Sequence, residues 1–509
     1  MIKALAPRMR QGCSWVWLLL VIAAFTPGEV LAQRGGRRSR SAELPATPPA
    51  AATKEQPKAD ADEKKPAEEK AEQKVDGGIP AVGGTYEVFR DERAEEALKI
   101  FKLVGRKPID SDVRLIRAMA ANQSTPDRDL IKRFVEGQAF KLTLKANLLA
   151  MIDETAKPSK DAEKAVGEAS TALLDALQSA RLAKNDAFLK VYNKELLTTL
   201  SKLLDNNLIS RIQAMIVIAQ VESKDIVPIC LAQLKDPNQT LWVKLWAARG
   251  LTNLADGGRR VDVAGAFIDA NDAFAAGKAV ADFLEREKDI PWFVKMRAVE
   301  ALGSMRRSAL PVAMQKAEMA VAAMACLANP EGRVEVRAWA GWALGMMQVN
   351  PAIAKYNFPL IAYNLGMVTV EVGERVSTGF SKNSTEAEYL TGLLVEPLFQ
   401  AFNGIQGVRE SGLLHTPAAS ASQNFIKQVA DLESSIARAA VELIRVPTGM
   451  RPDKLKDLSN RIASLKALLD KNKPKDYHLV PSGPEFRPQE AVAVGGDQPP
   501  KVAGAPGGR

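Results

Sequence analysis

One motif recurs four times between residues 205 and 347, and it constrains the fold more than any other feature of the chain. Arg211 is followed by Ala214 and Val217-Ile218-Ala219, and Lys244 by Ala247 and Gly250-Leu251. Lys295 is followed by Ala298 and Ala301-Leu302-Gly303, and Arg337 by Ala340 and Ala343-Leu344-Gly345. Residues three and four apart share one face of a helix. Small side chains at that spacing let neighbouring helices approach closely, and the large apolar residue fills the groove between them. Acidic residues precede the bases: Asp205, Asp289 and Glu331 by six positions, and Asp236 by eight.

The rest of the chain reads as helical too. Apolar positions recur at helical spacing through residues 127–152, 161–183 and 186–204, as in Leu173, Leu174 and Leu177, or Leu196, Leu197 and Leu200. Turn formers and N-caps interrupt them at Pro158-Ser159, Asn185-Asp186, Asp205-Asn206-Asn207, Asp236-Pro237 and Gly257-Gly258. Only residues 367–372 carry a strand-like β-branched run. The pattern predicts an all-α body over residues 86–473, with the repeats at 205–349 between helical parts at 86–204 and 350–473. Residues 33–85 are Arg, Ala, Pro, Lys and Glu in low-complexity order and predict a disordered spacer. Residues 474–509, rich in Pro and Gly, predict a disordered tail.

The repeat resembles the HEAT repeat, an armadillo-like unit in which a helix pair ends in an acidic turn and the second helix carries a basic residue. Ala214, Ala247, Ala298 and Ala340 are spaced by 33, 51 and 42 residues. HEAT units run about 40–47, so the first interval is short and the second holds an insertion. The resemblance implies an α-solenoid with a long concave face. It also implies that Asp205, Arg211, Lys244, Asp289, Lys295, Glu331 and Arg337 form a structural ladder of acid–base pairs between neighbouring repeats. A phosphate-binding track along the same bases is the rival reading, and the recurring acids argue against it.

The first 32 residues have the order of a secretory signal. Lys3, Arg8 and Arg10 precede an apolar run from Trp15 to Phe25, and Val30-Leu31-Ala32 offers a small-residue cleavage site. A span needs about 20 apolar residues, more than this run supplies, and no later segment is apolar enough to cross a membrane. The expected location is therefore exported: periplasmic, cell-envelope or extracellular. Cleavage would expose Arg34, Arg37, Arg38 and Arg40, which are candidates for binding an anionic polymer such as polysaccharide, lipid headgroup or nucleic acid. A solubilising terminus is the plainer reading of the same four residues.

Composition narrows the chemistry. The chain has 2 His and 3 Cys against 69 Lys+Arg, with a formal net charge of +9. That excludes a Cys/His zinc site and a multi-disulfide framework. No nucleotide-binding, metalloprotease or hydrolase motif is present, so no cofactor, metal, catalytic residue or small-molecule substrate is indicated. Trp242, Trp246, Trp292, Trp339 and Trp342 all fall on the second helices of the repeats. They are candidates for an aromatic stripe on the concave wall, suited to sugar rings or peptide anchors. Their interleaving with the small-residue positions favours packing between repeats; alternating burial, one Trp in and its partner half out, would be the compromise between the two readings. Cys230 and Cys326 sit on first helices two repeats apart and should be buried free thiols. The expected function is a non-catalytic scaffold or adaptor holding a protein partner along the concave face. Anionic-polymer binding is the alternative, and an enzyme with an unrecognised carboxylate site is the third reading.

Overall fold

Helix boundaries follow the capping chemistry. The side chains of Asp127, Asn185, Asn207, Asp269 and Asn357 accept hydrogen bonds from backbone amides two or three residues on, which satisfies donors that a helix start leaves open. The computed structural model describes residues 91–487 apart from 123–124, 153–159, 258–267, 312–315, 354 and 383–384. The signal-type segment, the spacer with Arg34, Arg37, Arg38 and Arg40, residues 86–90 and residues 488–509 lie outside them.

The chain is all-α over these residues. A short helix α1 (Glu92–Ala97) leads into α2 (Asp110–Ala121), α3 (Arg128–Thr143), α4 (Lys145–Ile152), α5 (Lys160–Leu182) and α6 (Asp186–Leu200). Then come α7 (Leu208–Ile218), α8 (Val227–Lys235), α9 (Leu241–Gly257), α10 (Ala270–Arg286), α11 (Trp292–Met305), α12 (Glu318–Leu327) and α13 (Val334–Met346). The last are α14 (Phe358–Ser381), α15 (Glu386–Leu393), α16 (Phe399–Asn403), α17 (Gln423–Arg445) and α18 (Arg451–Lys471). The strand-like run at 367–372 lies inside α14. Val368, Val370 and Val372 are buried on several sides of that helix, so packing overrides their β preference.

The helices from α7 to α13 stack in two layers. Pairs α8/α9, α10/α11 and α12/α13 pack internally, α8, α10 and α12 follow one another in the first layer, and α7, α9, α11 and α13 in the second. Contact is more extensive within the second layer, and the small residues of the motif are the reason. A Cβ added at Gly303 would lie 2.7 Å from the Cα of Ala343 and 2.5 Å from the Trp342 ring, so only glycine admits α13 at this distance. Beyond α13 the pattern stops: the long helices α14, α17 and α18 pack mutually in a three-helix cluster.

One boundary and one thiol differ from expectation. Residues 474–487 are packed rather than a free tail. Leu479 and Val480 are buried, the Asn357 amide N–H donates to the Leu479 carbonyl at 2.9 Å, and its side chain donates to the carbonyls of Asp476 and His478. With Phe486, also buried, Leu479 and Val480 anchor a stretch whose average composition is that of a linker. Cys326 is half-buried, whereas Cys230 is fully buried; both are free, and burial pushes their thiols up to about 11 and 12.

Within the C-terminal cluster, Glu433 of α17 is wholly buried; one carboxyl oxygen has no hydrogen-bond partner and the other accepts from Ser434 at 3.4 Å. Burial raises its pKa well above the ordinary carboxylate range. In the unfolded chain the group ionises at its usual value, so its stabilising protonated form is fully present below that pH and its contribution falls as pH rises through it. Glu433→Gln is expected to be neutral near pH 4 and clearly stabilising at pH 7, where the unfolded chain ionises and the native carboxyl resists it. Urea midpoints at the two pH values check this, and an equal effect at both would exclude the buried-acid explanation.

Candidate functional site

The basic positions of the motif do not pair with the acids that precede them. Lys244 is fully buried and pairs with Glu287 at 2.8 Å, which also takes Arg93 at 3.1 Å. Arg337 pairs with Glu371 and donates to the Leu327 carbonyl. Arg211 donates to the Asn206 carbonyl at 2.6 Å and the Gln239 side chain at 3.0 Å, and Lys295 to the Lys288 carbonyl at 2.9 Å. Asp205, Asp289 and Glu331 are exposed and form no ion pair among the described residues. The ladder is corrected accordingly: its bases stay, and its partners are the glutamates and carbonyls of adjacent helices and turns. The acids sit at exposed turn positions, where a solvated carboxylate gains little from a distant partner. Burial pulls the Lys244 ammonium below its ordinary value against the opposing pull of Glu287. Burial also works to raise Glu287, but Lys244 and Arg93 outweigh it and hold that carboxyl low.

A strap lies across this edge. Asp91 accepts the Leu241 amide N–H at 2.9 Å, at the start of α9. Further along, Asn207 donates to the Leu98 carbonyl at 2.8 Å, and the Asn206 amide accepts from Lys102 N–H at 3.1 Å and donates to Lys102 O at 2.5 Å. The Thr143 hydroxyl accepts from the Val104 N–H at 3.0 Å while donating to the Ala139 carbonyl of its own helix at 2.8 Å. At Leu98, Lys102 and Val104 these side chains hold the strap through its backbone. The sequence marks Asn206 and Asn207 as turn or cap residues; the pair of buried asparagines also does this second job.

The other side of the second layer carries the aromatic residues. Counted from the base of each repeat, the positions two before, two after and five after share one face: Trp242, Trp246, Arg249; Phe293, Arg297, Glu300; Glu335, Trp339, Trp342. Trp242 stacks on Phe293 with centroids 5.3 Å apart, and Trp339 meets Trp342 edge-on at 5.3 Å. Trp342 is buried and donates its indole N–H to Gln400 at 3.0 Å; Trp242, Trp246, Trp292 and Trp339 are half-buried. Trp292 stands one position off the frame, edge-on to Phe293, with the Arg333 guanidinium 4.9 Å from its ring centroid.

Charge runs through the same face. Glu300 is held by Arg249 at 3.0 Å and Arg297 at 2.6 Å, and Glu335 by Arg333 at 3.1 Å. Burial works to raise the Glu300 carboxyl, but the two arginines hold it below its ordinary value. The face continues onto α15 and the π-turn Leu394–Leu398. There Tyr389, Val395 and Phe399 are exposed at 46%, 46% and 38%. The Tyr389 phenol is pushed up to about 12 by desolvation and by Glu335, against Arg333 and Arg297. Glu396 is half-buried, and its carboxyl is raised by desolvation and by Glu300. The sequence reading missed Arg249, Phe293, Arg297, Glu300, Glu335, Tyr389 and Glu396. Applying the frame of the basic positions to non-tryptophan residues would have found the first five.

The chain matches no protein-family model, no curated protein and no solved structure in comparisons with each. Among the described residues there is no cluster of His, Cys, Asp or Glu that could hold a metal ion, and no helix long and apolar enough to cross a membrane.

Proposed function

We propose that the protein is an exported, non-catalytic scaffold that binds a protein partner along the face formed by the second helices. The observation that carries this reading is the continuity of half-buried aromatics from Trp242 through Trp339 with the exposed Tyr389, Val395 and Phe399. Contiguous exposed apolar surface rimmed by charge is a mark of interaction sites. In the HEAT-like reading the second layer, the more extensively packed of the two, is assigned the inner side of the stack, and a concave inner side suits an extended partner. The order of charge, apolar run and small residues in the first 32 positions supports export.

The test is affinity capture from envelope and secreted fractions with the full chain, at low and high salt, beside a Tyr389→Ser/Val395→Ser variant. Both positions are exposed, so the variant should keep the wild-type melting temperature. A stoichiometric protein retained at high salt by the wild type and lost by the variant is the expected result. Capture that ignores the variant would place binding elsewhere and end this reading.

A further inference from the structure

The face described above does not treat the two signs of charge alike. Its cations are already engaged: Arg249 and Arg297 on Glu300, Arg333 on Glu335 and over Trp292. Two of its carboxylates are engaged by the same arginines. Glu396 is different. It forms no ion pair among the described residues, it is half-buried, and it stands in the π-turn between exposed Val395 and exposed Phe399. Tyr389, Gly392 and Phe399 are exposed three or four positions from one another or from Glu396, and at Gly392 even an added Cβ would meet only open space within 4 Å, so nothing there shields the approach to this segment. A wide turn with an extra residue re-aims the side chains it carries, and such turns recur at functional positions.

We infer that Glu396 is the charge-reading residue of this face, and that the partner segment is apolar and basic: an aromatic or aliphatic side chain set between Tyr389, Val395 and Phe399, next to an arginine or lysine that pairs with Glu396. This rests on the scaffold reading and names the chemistry of its partner. An anionic segment would find every arginine of the face occupied and Glu396 opposing it. A cationic segment supplies the ion-pair partner that Glu396 lacks among the described residues and offsets the repulsion that Glu300 imposes on it. Flat guanidinium groups also stack well on the flanking aromatic rings.

The experiment titrates the full chain with N-acetyl-phenylalanyl-arginine amide and with its citrulline counterpart, which keeps the shape and loses the charge, following tryptophan fluorescence. The wild type is expected to bind the arginine peptide at least tenfold tighter. Glu396→Gln, melting no lower than the wild type, should abolish that preference while retaining binding at the citrulline level. Equal binding of both peptides, binding of neither, or a preference that survives Glu396→Gln overturns the inference. The capture experiment separates the two readings. A partner lost by Tyr389→Ser/Val395→Ser but kept by Glu396→Gln removes Glu396 from recognition and leaves the scaffold standing. Capture indifferent to both variants removes both.

Discussion

Asn206→Ala should loosen the N-terminal strap and lower stability by about 3 kcal/mol, from roughly 1 kcal/mol for each of three hydrogen bonds lost at a buried position. The side chain is fully buried, pairs with both backbone groups of Lys102, and accepts the Asn207 amide N–H at 2.8 Å. Alanine leaves those groups without partners. Hydrogen exchange should show protection lost at Lys102 and Val104 before the α9 and α11 amides respond, and limited proteolysis should open the strap first. Unchanged exchange at Lys102 would mean that Asn207 and Thr143 hold the strap unaided.

The second large effect is expected at Gly345. A Cβ there would stand 2.3 Å from the Ala401 carbonyl oxygen and 2.7 Å from its Cα, both backbone atoms that no rotamer change can move. The Gly345 carbonyl also accepts the Gly412 amide N–H at 2.8 Å, so the glycine sits where α13 meets both α16 and the loop beyond it. Gly345→Ala is expected to cost about 3 kcal/mol or more, at the upper end for overpacking, and to separate α16 from α13. Gly167→Ala supplies the control. It lies inside α5 with nothing within 4 Å of the added carbon, so it should stabilise by about 0.5–1 kcal/mol. Thermal unfolding of the two variants in parallel checks both signs. A Gly345→Ala protein that melts with the wild type would show that α16 is free to shift.

Much of the fold is legible because small-residue spacing and capping are local properties. Ala214, Ala247, Ala298 and Ala340 report close helix contacts from sequence alone, and all four are buried. The pairing of the bases was not legible, because an acid near in sequence competes with one near in space. Lys244 reaches Glu287, 43 residues on, rather than Asp236. Residues 474–487 were hidden by averaging, since Leu479, Val480 and Phe486 are the few anchors in a run of prolines, glycines and charges. The face was half legible. Tryptophan draws attention to a helix side, but Phe293, Arg297 and Glu300 look ordinary until the frame of Lys295 is laid over them. Glu396 lies outside every repeat, and only its neighbours in space mark it.

The strap also bears on how the molecule becomes one cooperative body. A stack of helix pairs is held by neighbours close in sequence, so it can nucleate anywhere and fray from its ends. The strap is the opposite kind of element. Its contacts join residues 104, 150 and 194 positions apart, from Lys102 to Asn206, Asp91 to Leu241 and Arg93 to Glu287. Loops that long close slowly, and only after α7, α9 and α10 have taken shape. Residues synthesised first among the described ones are thus the last to dock. Once docked, they bind the unfolding of α3, α7, α9 and α10 into a single event.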